Sequence, residues 1–155
     1  MKKEEIYREL LPQVASVVSD ESDMMAKMAN VAALLHQSFG FWWTGFYRVQ
    51  NTDRYPDRVQ TELVLGPFQG PLACMHIPFG KGVCGTAWEK GETVIVPNVH
   101  EFKGHIACSG ESNSEIVVPV HRNGEVIAVL DIDSKEYNTF DETDKRYLEQ
   151  IVGLM

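Results

Sequence analysis

The sequence has no apolar run approaching the roughly 20 residues that a membrane-spanning helix needs. Its first ten residues, Met-Lys-Lys-Glu-Glu-Ile-Tyr-Arg-Glu-Leu, mix charge with apolar side chains where a secretory signal would carry an apolar core. This reading excludes a membrane as partner and places the protein in the cytoplasm. Positive charge is also scarce: 14 Lys and Arg stand against 22 Asp and Glu, a net charge of −8, which argues against a nucleic-acid backbone as partner. Only three cysteines occur, Cys74, Cys84 and Cys108. Without a secretory signal they are expected to be reduced, which excludes permanent structural disulfides and leaves room for a transient redox pair. Paired Cys-x-x-Cys spacing is missing; only His105-x-x-Cys108 and Cys74-x-His76 come near zinc-ligand spacing, so no metal is expected. His76, His100, His105 and His121 lack the Ser and Asp partners of a hydrolase triad and read as surface or supporting residues. There is no internal repeat and no low-complexity tract.

What is present suffices for one globular domain over residues 1–155: 44% of residues are hydrophobic and 23% charged. Ile6, Leu10, Leu11, Val14 and Val17 or Val18 recur at helical spacing over residues 2–18, with Pro12 interrupting the first half. Ser22 is the expected N-cap of a second helix whose stripe is Met25, Met28, Val31, Leu34, Leu35 and Phe39, closed by Gly40. Strands are expected at 41–49, 61–66, 72–77, 93–96, 115–121 and 125–133, with Gly45 marking a bulge or a close ligand approach in the first. Residues 50–60 read as a long polar connection, 83–90 as a short helix, and Arg122-Asn123-Gly124 as a hairpin turn. Asp141 caps a terminal helix that buries Tyr147, Leu148, Ile151 and Val152. Hairpin-linked strands between flanking helices imply an α+β fold: an antiparallel sheet of about five or six strands packed between N-terminal and C-terminal helices.

Candidate chemistry gathers in the stretch from His100 to Pro119. Cys108 lies in a polar loop between Gly104 and Gly110, where a thiol has backbone freedom and access; His105 or Lys103 would favour its thiolate, and Glu111 and Glu115 would oppose it. Cys74, expected on a strand, could meet Cys108 in the fold and resolve a sulfenic acid into a disulfide. Cys84 reads most simply as a small buried hydrophobe. Asp131 and Asp133 share a strand face after the apolar run 126–130, and Glu115 begins the neighbouring arm. If the three acids converge, mutual repulsion would keep one protonated near neutral pH, making a general acid. For Asp131 and Asp133 the simpler reading is strand-end solvation and helix or turn capping, which accounts for most Asp residues at such positions. Trp43 and Tyr47, four apart on one strand face, form an aromatic wall or pack the core.

Six motifs in order then resemble the GAF-domain free methionine-(R)-sulfoxide reductases. They are Trp43-x-Gly45-Phe46-Tyr47, the Leu63–Gly70 run Leu-Val-Leu-Gly-Pro-Phe-Gln-Gly, Gly82-Val-Cys84-Gly-Thr, Gly104-His-Ile-Ala-Cys108, Ser112-Asn-Ser-Glu-Ile and Val129-Leu-Asp-Ile-Asp133-Ser. The resemblance implies a GAF fold and reduction of free methionine sulfoxide without a cofactor. It makes Cys108 the nucleophile, Cys74 the resolving cysteine and Cys84 an auxiliary one. It assigns Glu115, Asp131 and Asp133 to substrate binding, with Glu115 and Asp133 as candidate proton donors, and puts Trp43 and Tyr47 beside the substrate methyl group. A thioredoxin-type dithiol would regenerate the thiols, and the reading admits a homodimer. Two departures stand out, the long 50–60 connection and Ser109 where an acidic residue is expected after the nucleophile; neither removes a catalytic group. Two other readings use the same residues: a GAF ligand-sensing module, and a thiol redox switch without substrate, which would need neither the acids nor the aromatic pair.

Overall fold

The computed structural model describes residues 1–155 apart from Pro56, Arg58, Val59, Ala107 and Ser109. The expectation about Ser109, and part of that about the 50–60 connection, therefore lies outside the described residues. Helices α1 (Lys3–Val18) and α2 (Met24–Phe39) precede strands β1 (Trp43–Asn51), β2 (Thr61–Gln69) and β3 (His76–Pro78). Helix α3 (Gly82–Lys90) follows, then β4 (Val94–Val96), β5 (Ser114–Arg122), β6 (Glu125–Ser134) and α4 (Glu142–Gly153). The six strands form one sheet in the order β3-β2-β1-β6-β5-β4, and every neighbouring pair is antiparallel. No helix among the described residues is long and apolar enough to cross a membrane.

Strand periodicity sorts the side chains onto two faces. Phe46, Ile116, Val118, Val120, Ala128, Leu130 and Ile132 point to the face covered by α1, α2 and α4. Tyr47, Val117 and Val129 point to the opposite face, against α3. The N-terminal and C-terminal helices therefore share one side of the sheet, and the other side is left to α3 and the loops that build the pocket.

Local chemistry explains where elements begin and end. Asp23, not Ser22, caps α2, accepting from the Ala26 backbone N–H at 3.1 Å; either residue can cap, and the helix starts one position later than expected. Gly40 ends α2 in the left-handed conformation, as expected. Pro12 sits inside α1 without ending it, because Tyr7, Leu10, Val14 and Val18 are buried against the rest of the molecule and offset the lost hydrogen bond. Within the predicted stripes, Val17 and Met25 face solvent, and the buried Tyr7 takes a place that the spacing of aliphatic residues did not mark.

Strand β2 runs on through Pro67, where a break was expected. Gly45 pairs with Phe68 and Tyr47 with Leu65, so Gly66 and Pro67 together oppose Phe46 in a β-bulge, one of the few sheet positions that tolerate proline. The third strand is shorter than the sequence implied. Only His76–Pro78 pair with β2, and Leu72–Met75, including Cys74, form an irregular segment between β2 and β3. Both Asn123 and Gly124 have positive φ in the β5–β6 turn, as the Asn-Gly signal requires.

Candidate functional site

Sheet register assembles the acids. On the α3 face, Trp43 of β1 pairs with Asp133 of β6, which pairs with Glu115 of β5, so one cross-strand row carries an indole and two carboxyls. In the next row Gly45 pairs with Asp131, which pairs with Val117. A Cβ built at Gly45 would lie 2.4 Å from Phe68 Cβ and 2.6 Å from the Trp43 ring, so only glycine lets that ring settle there. Trp43 stacks on Tyr47 at 5.9 Å between centroids and on Phe68 at 5.3 Å. The three acids and the aromatic pair line a single pocket together with Cys84, Cys108, Trp42, Leu72, His105 and Ser112.

The two outer cysteines meet at this pocket. Cys74 and Cys108 are joined in a disulfide with Cα atoms 5.4 Å apart. Cys74 is placed by an irregular segment whose carbonyls are held by the pocket aromatics: Tyr47 donates its hydroxyl to the Cys74 carbonyl at 2.9 Å, and Trp43 Nε1 donates to the Pro71 carbonyl at 3.0 Å. These two bonds hold residues 71–74 off the sheet edge, which the chain rejoins at Met75, whose carbonyl accepts from the Leu65 backbone N–H at 2.9 Å. Cys84 is a free thiol, buried near the start of α3.

Burial sets the electrostatics. Desolvation, reinforced by the charge of Asp133 and partly opposed by a hydrogen bond with Asp131, pushes the Glu115 carboxyl up to about 8. Desolvation and then the Glu115 charge push Asp131 well above the carboxylate range. Asp133 is raised by desolvation and by Asp131, against the pull of the Ser112 hydroxyl, which donates to Asp133 Oδ1 at 2.8 Å. His105 Nε2 lies 3.7 Å from Glu115 Oε1, but desolvation lowers the imidazole, so the two stand as a neutral pair near neutral pH. Burial followed by the nearby acids also raises the Cys84 thiol and the Tyr47 phenol, keeping both protonated. The cluster can therefore hold a proton at neutral pH and hand it to a bound oxygen, or lose it and hold a cation.

Several participants escaped the sequence reading. Trp42 lines the pocket with the Lys135 ammonium 3.8 Å from its ring centroid, and Ser112 steadies Asp133. Lys81, Gly82 and Val83 bring the N-terminal turn of α3 to the pocket, and the start of a helix favours an anion. Gly80-Lys81-Gly82 ahead of an apolar run was the available signal for that helix start. His105, expected with Lys103 as one of two residues that would favour the Cys108 thiolate, lines the pocket with Cys108 and stands beside Glu115, and Glu111 pairs with Lys135 at 3.4 Å. Cys84 is buried as expected, yet it faces the pocket acids rather than plain core.

Residues 18–155 match the GAF domain family. GAF domain-containing protein A of Dictyostelium discoideum is 50% identical over 99% of this chain and 92% of its own length. The free methionine-R-sulfoxide reductase of Escherichia coli is 40% identical over 99% of this chain and 88% of its own. Among solved structures, the free methionine-R-sulfoxide reductase of Neisseria meningitidis, in complex with its substrate, superimposes with a TM-score of 0.90 at 52% identity, covering 99% of this chain and 88% of that one. With its pocket, its acids and its disulfide, the chain belongs to the GAF domain family and, within it, to the free methionine-R-sulfoxide reductases, a family of oxidoreductase enzymes.

Proposed function

We propose that this protein reduces free methionine-(R)-sulfoxide to methionine, with Cys108 as nucleophile and Cys74 as resolving cysteine. The observation that carries the reading is the Cys74–Cys108 disulfide on a pocket whose floor holds two buried carboxyls, Glu115 and Asp131, beside the half-buried Asp133, and whose wall is Trp43 and Tyr47. A sulfoxide presents a methyl group, a sulfur and an oxygen that must be protonated before it can leave, and the amino acid that bears it presents an ammonium and a carboxylate. The aromatic wall suits the methyl group, ionised acids suit the ammonium, and the start of α3 suits the carboxylate.

In the reaction the Cys108 thiolate attacks the sulfoxide sulfur while Glu115 or Asp133, held protonated by burial, donates to the oxygen. The protonated oxygen passes to the Cys108 sulfur as the substrate S–O bond breaks, so methionine departs with two electrons gained and Cys108 is left as the sulfenic acid. The Cys74 thiol then attacks the Cys108 sulfur, water leaves, and the disulfide forms. A protein dithiol of the thioredoxin type supplies two electrons to restore both thiols. No step draws on a cofactor, and such a cycle suits a cytoplasmic enzyme. Residues 1–155 act as one domain in this reading, because α1, mostly ahead of the family match, buries its apolar face in the same core as α2 and α4.

The test is methionine formation from the separate R and S epimers of free methionine sulfoxide with dithiothreitol as reductant. Turnover of the R epimer alone, absent in Cys108→Ser and limited to about one equivalent per chain in Cys74→Ser, is the expected result. Multiple turnover by Cys108→Ser would remove the assignment.

A further inference from the structure

Cys84 has no step of its own in the two-cysteine cycle, yet it is placed with care. Its sulfur, one carboxylate oxygen of Glu115 and one of Asp131 all lie within 4.8 Å of one another. The three come from α3, β5 and β6, so sheet register and the packing of α3, not local sequence spacing, bring them together. The Asp131 carboxyl is hydrogen-bonded with Glu115 and Cys84, but its Oδ1 is shut off from solvent and has no hydrogen-bond partner among the described residues. An unmet acceptor in a buried site is costly unless a donor or a cation meets it.

We propose that Cys84, Glu115 and Asp131 form a binding site for a thiophilic divalent cation, Zn²⁺ above all, in the floor of the pocket. One thiolate and two carboxylate oxygens are a donor set that tetrahedral Zn²⁺ accepts, with the fourth position open to water from the pocket or to His105, which lines it beside Glu115. Mg²⁺ and Ca²⁺ require six or more oxygens and are poorly served by this site. Bonds of about 2.3 Å to sulfur and about 2.1 Å to oxygen draw the ligand atoms closer than their present spread. Binding releases the thiol proton and any proton on the two carboxyls, and it involves no change of oxidation state.

The ion would occupy the acid floor that the substrate ammonium takes. Zn²⁺ is then a reversible inhibitor, competitive with methionine sulfoxide and relieved by chelation. That consequence rests on the proposed function; the binding site does not.

The experiment uses the untagged full chain oxidised at Cys74–Cys108, so that Cys84 is the sole thiol, and titrates it with Co²⁺ as a spectroscopic probe. A thiolate-to-cobalt charge-transfer band that saturates at one ion per chain and is displaced by Zn²⁺ is expected. The band should vanish in Cys84→Ser and the affinity should fall about tenfold or more in the near-isosteric Asp131→Asn. Absence of the band in the native protein, or its survival in folded Cys84→Ser, overturns the site. Should Cys84→Ser fail to fold, undiminished cobalt affinity in Asp131→Asn overturns it instead. Cobalt bound through Cys84 by a protein that turns over neither epimer would uphold the metal site while sinking the reductase reading.

Discussion

The Tyr47 hydroxyl donates to the Cys74 backbone carbonyl at 2.9 Å, tying the aromatic wall of the pocket to the segment that carries one half of the disulfide. A residue expected from sequence as an aromatic wall or as core packing is also a strap. Such a hydrogen bond contributes about 1 kcal/mol net. Tyr47→Phe keeps the ring and loses the strap, so closure of the disulfide after one equivalent of substrate should slow by about fivefold. Rapid quenching with a thiol-blocking reagent measures closure, and a sulfenic-acid trap should capture more Cys108 in the variant. Closure at the native rate would mean that the bond does not position Cys74.

The raised Glu115 carboxyl links pH to both stability and activity. Its folded value, about 8, lies above the ordinary 4.5, so between these limits the native state binds more protons than the unfolded one. Stability is therefore fully present below the lower value and is lost as pH rises through the upper one, at up to about 1.4 kcal/mol per pH unit. Asp131 and Asp133, raised in the same direction, act with the same sign. Urea unfolding from pH 5 to pH 8.5 should show falling stability, and Glu115→Gln should flatten the profile. The same variant removes a proton donor and should lower turnover by about 100-fold. A native profile that rises with pH would contradict the buried, protonated cluster.

Much of this site was legible because strand periodicity is a strong signal. Asp131 and Asp133 had to share a face, and the Asn-Gly turn fixed Glu115 on the neighbouring strand near enough to join them. What escaped was set by contacts between distant segments. Cys74 looked like a strand residue because its neighbours are apolar, but Tyr47 and Trp43 capture the Cys74 and Pro71 carbonyls, and no local pattern announces that. Pro67 looked like a strand end, but the bulge opposite Phe46 absorbs it. Zinc-ligand spacing along the chain could not reveal the Cys84, Glu115 and Asp131 group, whose members lie on three separate elements.

Gly45, expected to mark a bulge or a close ligand approach, flanks the β1–β2 bulge and lies close under the Trp43 ring and Phe68. With Phe68 Cβ and the Trp43 ring inside contact distance of an added methyl group, Gly45→Ala must push the indole out of the row it shares with Asp133 and Glu115. Overpacking of this kind costs about 1–3 kcal/mol. Because the displaced ring belongs to the pocket wall, KM for methionine sulfoxide should rise as well. Thermal melting and steady-state kinetics check the two effects separately, and an alanine variant with native melting and native KM would show that Trp43 can relax without cost.

Helix α1 lies mostly ahead of the residues that match the GAF family, so its contribution is open to direct test. Asp144 on α4 is fully buried and accepts from the Tyr7 hydroxyl at 2.7 Å, from Lys3 Nζ at 2.6 Å and from the Asp141 backbone N–H at 2.9 Å. Removing residues 1–17 deletes two of those three donors and uncovers the core beneath Tyr7, Leu10 and Val14. Stranding a buried carboxylate costs about 3–5 kcal/mol by itself, a large part of the 5–15 kcal/mol that holds a typical domain together. The truncated chain should therefore melt far lower or fail to unfold cooperatively, while Tyr7→Phe, which removes one donor, should cost about 1–3 kcal/mol. Chemical denaturation of the three proteins side by side decides the matter. Native stability in the truncated chain would make α1 an appendage and confine the domain to residues 18–155; graded loss, small for Tyr7→Phe and large for the deletion, would make α1 part of the fold that holds β1, β5 and β6, and with them the acid row, in register.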